Sequence, residues 1–165
     1  SGGMSSRLFY EVRELRGLVY DIMTSNSSFS DTGFFYVSAS TRPDNLAEVL
    51  DVTISELNKV ASGEVSQQEL DRVKSQLKVS ITMSMESVGG RMSKLAQSEI
   101  FYGRNVTDEE ILEKILEVKP EDVCELAAEV FRADRAVFSG LGPYKGRKAA
   151  AAERLALDSI SKLSR

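Results

Sequence analysis

The sequence predicts an α+β domain in which an antiparallel sheet is covered by helices, and three observations lead to it. Residues 18–24 and 33–40 read as strands separated by a short polar stretch, which makes them an antiparallel pair. Beyond residue 43, apolar residues recur mostly at spacings of three and four, the pattern of helices with one buried stripe. The coarse order is helix, two strands, a run of helices, a strand and a last helix, which argues against a Rossmann unit.

Ser1-Gly2-Gly3 leads at once into a helical segment whose apolar face comprises Leu8, Phe9, Val12 and Leu15, with Met4 as a further candidate. Ser5 or Ser6 supplies its N-cap, and Gly17 ends it. Leu18–Thr24 is the first strand, Ser25–Thr32 a polar linker and Gly33–Ser40 the second strand. In the second strand Phe35, Val37 and Ala39 alternate with Phe34, Tyr36 and Ser38. Large aromatics therefore fall on both faces, as in a doubly packed sheet, an oligomer interface or the wall of a binding chamber.

Pro43 suits the first turn of the next helix, in which Leu46, Val49, Leu50, Thr53, Leu57 and Val60 or Ala61 form one stripe before Gly63 closes it. Ser66 and Glu69 have capping-box spacing, and Leu70, Val73, Leu77, Ile81, Met85 and Val88 continue the longest helical stripe. Gly89-Gly90 is expected to bend or break it before Met92, Leu95 and Ala96 resume the register. Thr107 with Glu110 caps a short helix, Pro120 starts another, and Arg135–Gly140 reads as a third strand. Gly142-Pro143 ends that strand ahead of an alanine-rich last helix.

At 165 residues and 18.2 kDa, with 42% hydrophobic residues, the chain can bury the core of one ordinary soluble domain. Its 21 Lys and Arg against 25 Asp and Glu are dispersed, with no basic block to track a phosphate backbone, so nucleic acid is not the expected partner. No apolar run is long enough to span a bilayer, and the opening residues lack a secretory pattern. The single cysteine, Cys124, excludes an intrachain disulfide and reads as a buried residue on a helix face.

The chain has no histidine, which removes the common base for Ser25, Ser27, Ser28 or Ser30 and the partner for a Cys-His pair. Glu109, Glu110, Glu113 and Glu117 read as a solvated helix surface, Glu64 and Glu69 as boundary residues and Asp71 as a solvated charge. None of them makes a zinc site. Neither Gly2-Gly3 nor Gly89-Gly90 has the context of a phosphate-binding loop. The pair Lys145 and Arg147 is too small to form a nucleic-acid groove.

The run GGMSSRLFYEVRELRGLVY, from Gly2 to Tyr20, resembles the substrate-facing element in the second domain of the pitrilysin-type, inverted-motif zinc peptidases, which include mitochondrial processing peptidase and bacterial two-domain relatives. The strand pair from Gly33 to Thr41, ELDRVKSQLKVSITMSMES, RMSKLAQSEIFYGR and VKPEDVCELAAEVFRADRAVFSGLGP resemble later pieces of the same domain in the same order. The resemblance implies a LuxS/processing-peptidase-like zinc-peptidase fold, N-terminally truncated. Residues 1–165 would form a partial C-terminal domain of a two-domain peptidase that lacks its leading strand and helix. An unpaired sheet edge would then invite strand addition or a homodimer.

In that family an Arg and a Tyr seven residues later orient the peptide near its scissile carbonyl, and the matching residues are Arg13 and Tyr20. Arg13 would hold carbonyl oxygens, while the Tyr20 hydroxyl would donate to a carbonyl as it becomes an oxyanion. Read without the resemblance, Arg13 is a surface ion-pair residue and Tyr20 a strand aromatic. Arg16 reads as a solvent-facing or interface charge, Phe9 as core, and Gly2 and Gly3 as turn residues.

The resemblance thus implies the substrate-binding, chamber-forming half of a zinc metalloendopeptidase, inactive alone. Zinc is expected on a zinc-bearing N-terminal domain or subunit, no cofactor in this chain, and a peptide as substrate. The alternative is a noncatalytic peptide-binding or assembly subunit, and a third reading is a structural domain. A cytoplasmic location is the accompanying expectation.

Overall fold

In the computed structural model, which describes residues 6–84 and 86–163, the chain starts its first helical turns at Ser6, whose Oγ accepts from the Phe9 N–H at 3.3 Å. That side-chain acceptor satisfies one of the donors every helix start leaves open. The expectations for Gly2, Gly3, Met4, Ser5 and Met85 lie outside the described residues. From Phe9 to Glu14 the winding is that of a π-helix. Gly17, at φ +61, ends it in the left-handed region open to glycine.

The residues up to Glu64, together with those from Cys124 on, form one compact unit, and Val65–Val123 form a second. In the first unit strand β1 (Val19–Ser28) pairs antiparallel with β2 (Gly33–Thr41), making a two-stranded sheet. Ser25–Ser28 therefore belong to β1 and not to a polar linker, because Tyr36, Phe35, Phe34 and Gly33 lie opposite them and extend the ladder. The turn shrinks to residues 29–32, where the Phe29 N–H donates to the Thr32 carbonyl at 2.8 Å.

Pro43–Asn45 makes one 3-10 turn before helix α1 (Leu46–Ala61). Thr41 Oγ1 and Asn45 Nδ2 both donate to the Leu18 carbonyl, at 2.6 and 3.2 Å, and tie the entry of β1 to the start of α1. The core gathers Leu8, Phe9 and Val12 from the opening helix, Leu18, Val19 and Ile22 around β1, and Val49 from α1. Leu15, expected on the buried face, is 59% exposed.

Helix α5 (Pro120–Val130) ends in this unit, where the rings of Phe131 and Phe35 lie 5.1 Å apart. The chain then makes a 3-10 turn at Ala133–Arg135 and runs extended at Ala136. Residues 136–140 do not form the expected third strand, because among the described residues no strand pairs with them, and strand propensity has effect only through a paired neighbour. Helix α6 (Arg147–Ile160) returns to α1: Ser159 Oγ and Lys162 Nζ both donate to Asp51, at 3.0 and 2.6 Å. Cys124 is half-buried, short of the full burial its helical position predicts.

The second unit holds α2 (Gln67–Ser84), α3 (Val88–Tyr102) and α4 (Asp108–Glu117). Side-chain caps at Ser66 and Thr107 accept from the Glu69 and Glu110 N–H groups, each at 3.2 Å, as the spacing predicts. The break after α2 falls before the glycine pair: Ser87 caps α3, and Gly89-Gly90 lie inside its first turn. Among the described residues of the predicted α2 stripe only Leu70 is buried, while Val73, Leu77 and Val88 are exposed. The Lys74 ammonium donates to the Leu116 carbonyl at 2.7 Å and joins α2 to the end of α4.

Candidate functional site

Arg13 and Tyr20 sit on either side of the Gly17 turn, each at an irregular point of the backbone. The Arg13 carbonyl accepts from the Gly17 N–H at 3.1 Å, and the Val12 carbonyl from the Leu18 N–H at 3.0 Å. These bonds fasten the end of the π-helix to the entry of β1. Helical π-turns and β-bulges both occur frequently at functional sites, where they redirect a side chain that regular geometry would turn elsewhere.

Arg13 projects from the π-helix with its guanidinium 4.7 Å from the centroid of the Phe9 ring. Phe9 is 6% exposed and locked in the core, so it offers a fixed aromatic face to a half-buried cation. Among the described residues no carboxylate pairs with Arg13. Arg16, three residues on, differs in this respect. It forms an ion pair with Glu11 and also donates to the Glu11 carbonyl at 2.8 Å. The Glu11 carboxylate raises the pKa of Arg16.

Tyr20 is carried by a bulge. Val19 lies opposite Thr41 but Asp21 opposite Ser40, so β1 contains one residue more than β2 at this point. The extra residue lets Val19 and Ile22, three apart, share the core-facing side that a regular strand would give only to residues two apart. Tyr20 is left 84% exposed. Among the described residues no hydrogen bond joins its hydroxyl to Arg13 or to any other group.

Two features of this site were present in the sequence and went unread. Phe9 and Arg13 are four apart, the spacing at which a helix stacks a cation on an aromatic. Val19 and Ile22 are three apart inside a strand-like run, a mark of a bulge between them.

The chain's own donors do not fit a catalytic zinc. With no histidine, only one thiol and the carboxylates remain, and Glu110 is taken by Arg104 at 2.8 Å. Among the described residues no group of three or more His, Cys, Asp or Glu side chains converges as a metal site. No described helix is long and apolar enough to cross a membrane.

Residues 1–77 match the sequence pattern of the "Peptidase M16 inactive domain". An uncharacterized zinc protease of Streptomyces coelicolor is 38% identical over 148 residues, which cover 90% of this chain and 32% of that protein. The uncharacterized zinc protease YmxG of Bacillus subtilis is 32% identical over 136 residues, or 82% of this chain and 33% of the relative. The chain therefore spans about a third of the length of the curated relatives it matches. Among solved structures, a conserved protein from Enterococcus faecalis superposes with a TM-score of 0.66 at 27% identity, covering 76% of this chain and 29% of that one. A protease from Helicobacter pylori gives 0.65 at 23% identity, covering 79% and 32%, and supports the fold. The chain is homologous to M16-family zinc-protease domains, and its first 77 residues correspond to the domain of that family described as inactive.

Proposed function

We propose that this chain is a noncatalytic peptide-binding domain of a zinc peptidase, holding an extended peptide for a separate zinc-bearing domain or subunit. The observation that carries the reading is the pairing of two outward polar groups on one fastened turn. Arg13 is a cation with no carboxylate partner among the described residues, and Tyr20 is a phenol lifted out of the sheet by a bulge. A guanidinium offers several fixed donors to peptide carbonyl oxygens, and a phenolic hydroxyl adds one more. The relatives' description as zinc proteases and the family's description of this region as inactive support the same division of labour.

A second reading concerns the parent enzyme's reaction, and the exposure of Tyr20 favours it. There, Arg13 would orient the bound peptide and Tyr20 would donate to the scissile carbonyl as charge develops on its oxygen. Neither residue generates a nucleophile, so this role needs the other domain for bond cleavage.

Peptide titration of the chain by fluorescence anisotropy tests the first reading. Saturable binding that weakens in Arg13→Ala is expected, and no binding by the folded chain would overturn it. Cleavage by the full-length protein tests the second: Tyr20→Phe should lower kcat with the fold and zinc content intact, and an unchanged rate would remove the oxyanion role.

A further inference from the structure

Three arginines border the opening helix, and each is held by different chemistry. Arg7 donates to the Glu64 carbonyl. Arg16 is committed to Glu11, through both the carboxylate and the carbonyl. Arg13 makes no hydrogen bond or ion pair among the described residues, and its guanidinium carbon lies over the Phe9 ring, 4.7 Å from the centroid.

The kind of contact decides which of the three can serve a ligand. A carboxylate cancels the charge of an arginine and takes up N–H donors of its fork. An aromatic ring attracts the cation through its quadrupole and leaves most of the N–H groups open to other acceptors. Arg13 is therefore held in place with its charge and its donors still available.

A support of this kind works only if it does not move. Phe9 is 6% exposed and packs in the core with Leu8, Val12, Leu18, Val19, Ile22 and Val49. Close packing restricts such a ring to one rotamer. The Phe9 N–H donates to Ser6 Oγ at 3.3 Å and the Arg13 carbonyl accepts from the Gly17 N–H at 3.1 Å, so the backbone of the pair is tied at both ends. Core burial by itself asks only for apolar volume, which leucine or methionine would supply. The cation over its face gives position 9 a reason to be aromatic.

Given the proposed grip of Arg13 on peptide carbonyl oxygens, we infer that Phe9 is the positioning residue for that grip. Its ring touches no peptide. It fixes where the guanidinium is presented, and so makes Arg13, rather than Arg7 or Arg16, the cation that meets the ligand. The contribution of Phe9 to binding passes entirely through Arg13.

The probe is an end-capped, fluorescein-labelled peptide of alternating alanine and serine, whose neutral groups offer the guanidinium only hydrogen-bond acceptors. It is titrated against the full chain by anisotropy, with urea melts of each variant to show that it is folded under the assay conditions. Phe9→Leu should weaken binding about fivefold, and Phe9→Met, which adapts to irregular core space, should do the same. Phe9→Tyr keeps the ring and should stay within about twofold of the wild type. In an Arg13→Ala background Phe9→Leu should change nothing further, a coupling that a merely structural residue would not show. The Arg13 side-chain N–H resonances should also lose their ring-current shift in Phe9→Leu and keep it in Phe9→Tyr. Wild-type affinity of both the Leu and Met variants, a Tyr variant as weak as the Leu variant, or the same loss in both backgrounds overturns the positioning role and leaves the peptide site standing. Unchanged affinity in Arg13→Ala alone shows instead that Arg13 holds no peptide, and the role of Phe9 falls with it.

Discussion

The guanidinium of Arg13 lies 4.7 Å from the centroid of the Phe9 ring, one turn back along a π-helix. The ring belongs to the core and the half-buried cation rests against it, so the fold itself fixes where the charge is presented. Replacing Arg13 by Lys keeps the charge and removes the planar fork. Peptide binding should weaken by about 1.5 kcal/mol, roughly tenfold, while stability changes by about 1 kcal/mol at most. Anisotropy and urea melts of the same preparations check the two halves, and equal affinity of the Lys variant would refute a role for the fork.

Adjacent glycines in α3 should respond oppositely to alanine. A Cβ on Gly89 meets nothing within 4 Å, whereas one on Gly90 would stand 2.1 Å from the Ser84 carbonyl oxygen. Gly89→Ala should gain about 0.5–1 kcal/mol from reduced freedom of the unfolded chain. Gly90→Ala should lose more than that, because backbone must move to admit the methyl. Urea midpoints of the two variants decide it, and the same sign for both would contradict this packing.

Acid should release the tie between α1 and the chain's C-terminal segment. The hydrogen bond from Lys162, more than that from Ser159, holds the Asp51 carboxyl below its ordinary pKa. A depressed folded-state pKa contributes stability that is complete above the unfolded value of about 3.9 and is lost as pH falls through the folded value. Both partners are half exposed, so the contribution is about 0.2–1 kcal/mol. Lys162→Ala should remove it at pH 7 and cost nothing at pH 2, read as the difference between urea melts at the two pH values.

Thr53→Val should stabilise the chain. The hydroxyl is buried without a partner among the described residues, and valine keeps the branched shape without the polar atom. The expected gain is about 1 kcal/mol, from removal of an unsatisfied group. Thermal melts measure it, and a loss of stability would show that the hydroxyl is satisfied in solution.

Features fixed by short-range chemistry were legible in the sequence. Ser6, Ser66 and Thr107 cap helices because each hydroxyl needs only an N–H three residues ahead. Gly17 and Gly63 end helices because their positive φ is open to glycine wherever the chain must turn that way. The two strands and their antiparallel pairing followed from patterning and proximity, whereas the choice of Arg13 and Tyr20 rested on a family resemblance alone. The polar run Ser25–Ser28 has the composition of a linker and carries no strand signal, yet the ladder with β2 extends through it. Residues 136–140 erred the other way, strand-like in composition and unpaired in the fold.

The sequence by itself determined that Ser6, Ser66 and Thr107 start helices and that Gly17 and Gly63 end them, that a strand pair follows the first, and that no histidine is present for zinc chemistry. Tertiary structure alone decided which apolar stripes are covered, as the exposed Val73 and Leu77 of α2 demonstrate. It also decided that Tyr20 stands on a bulge. The physical reason is range: caps and turns depend on atoms a few residues apart, whereas pairing, register and burial depend on surfaces that meet only once the chain has folded.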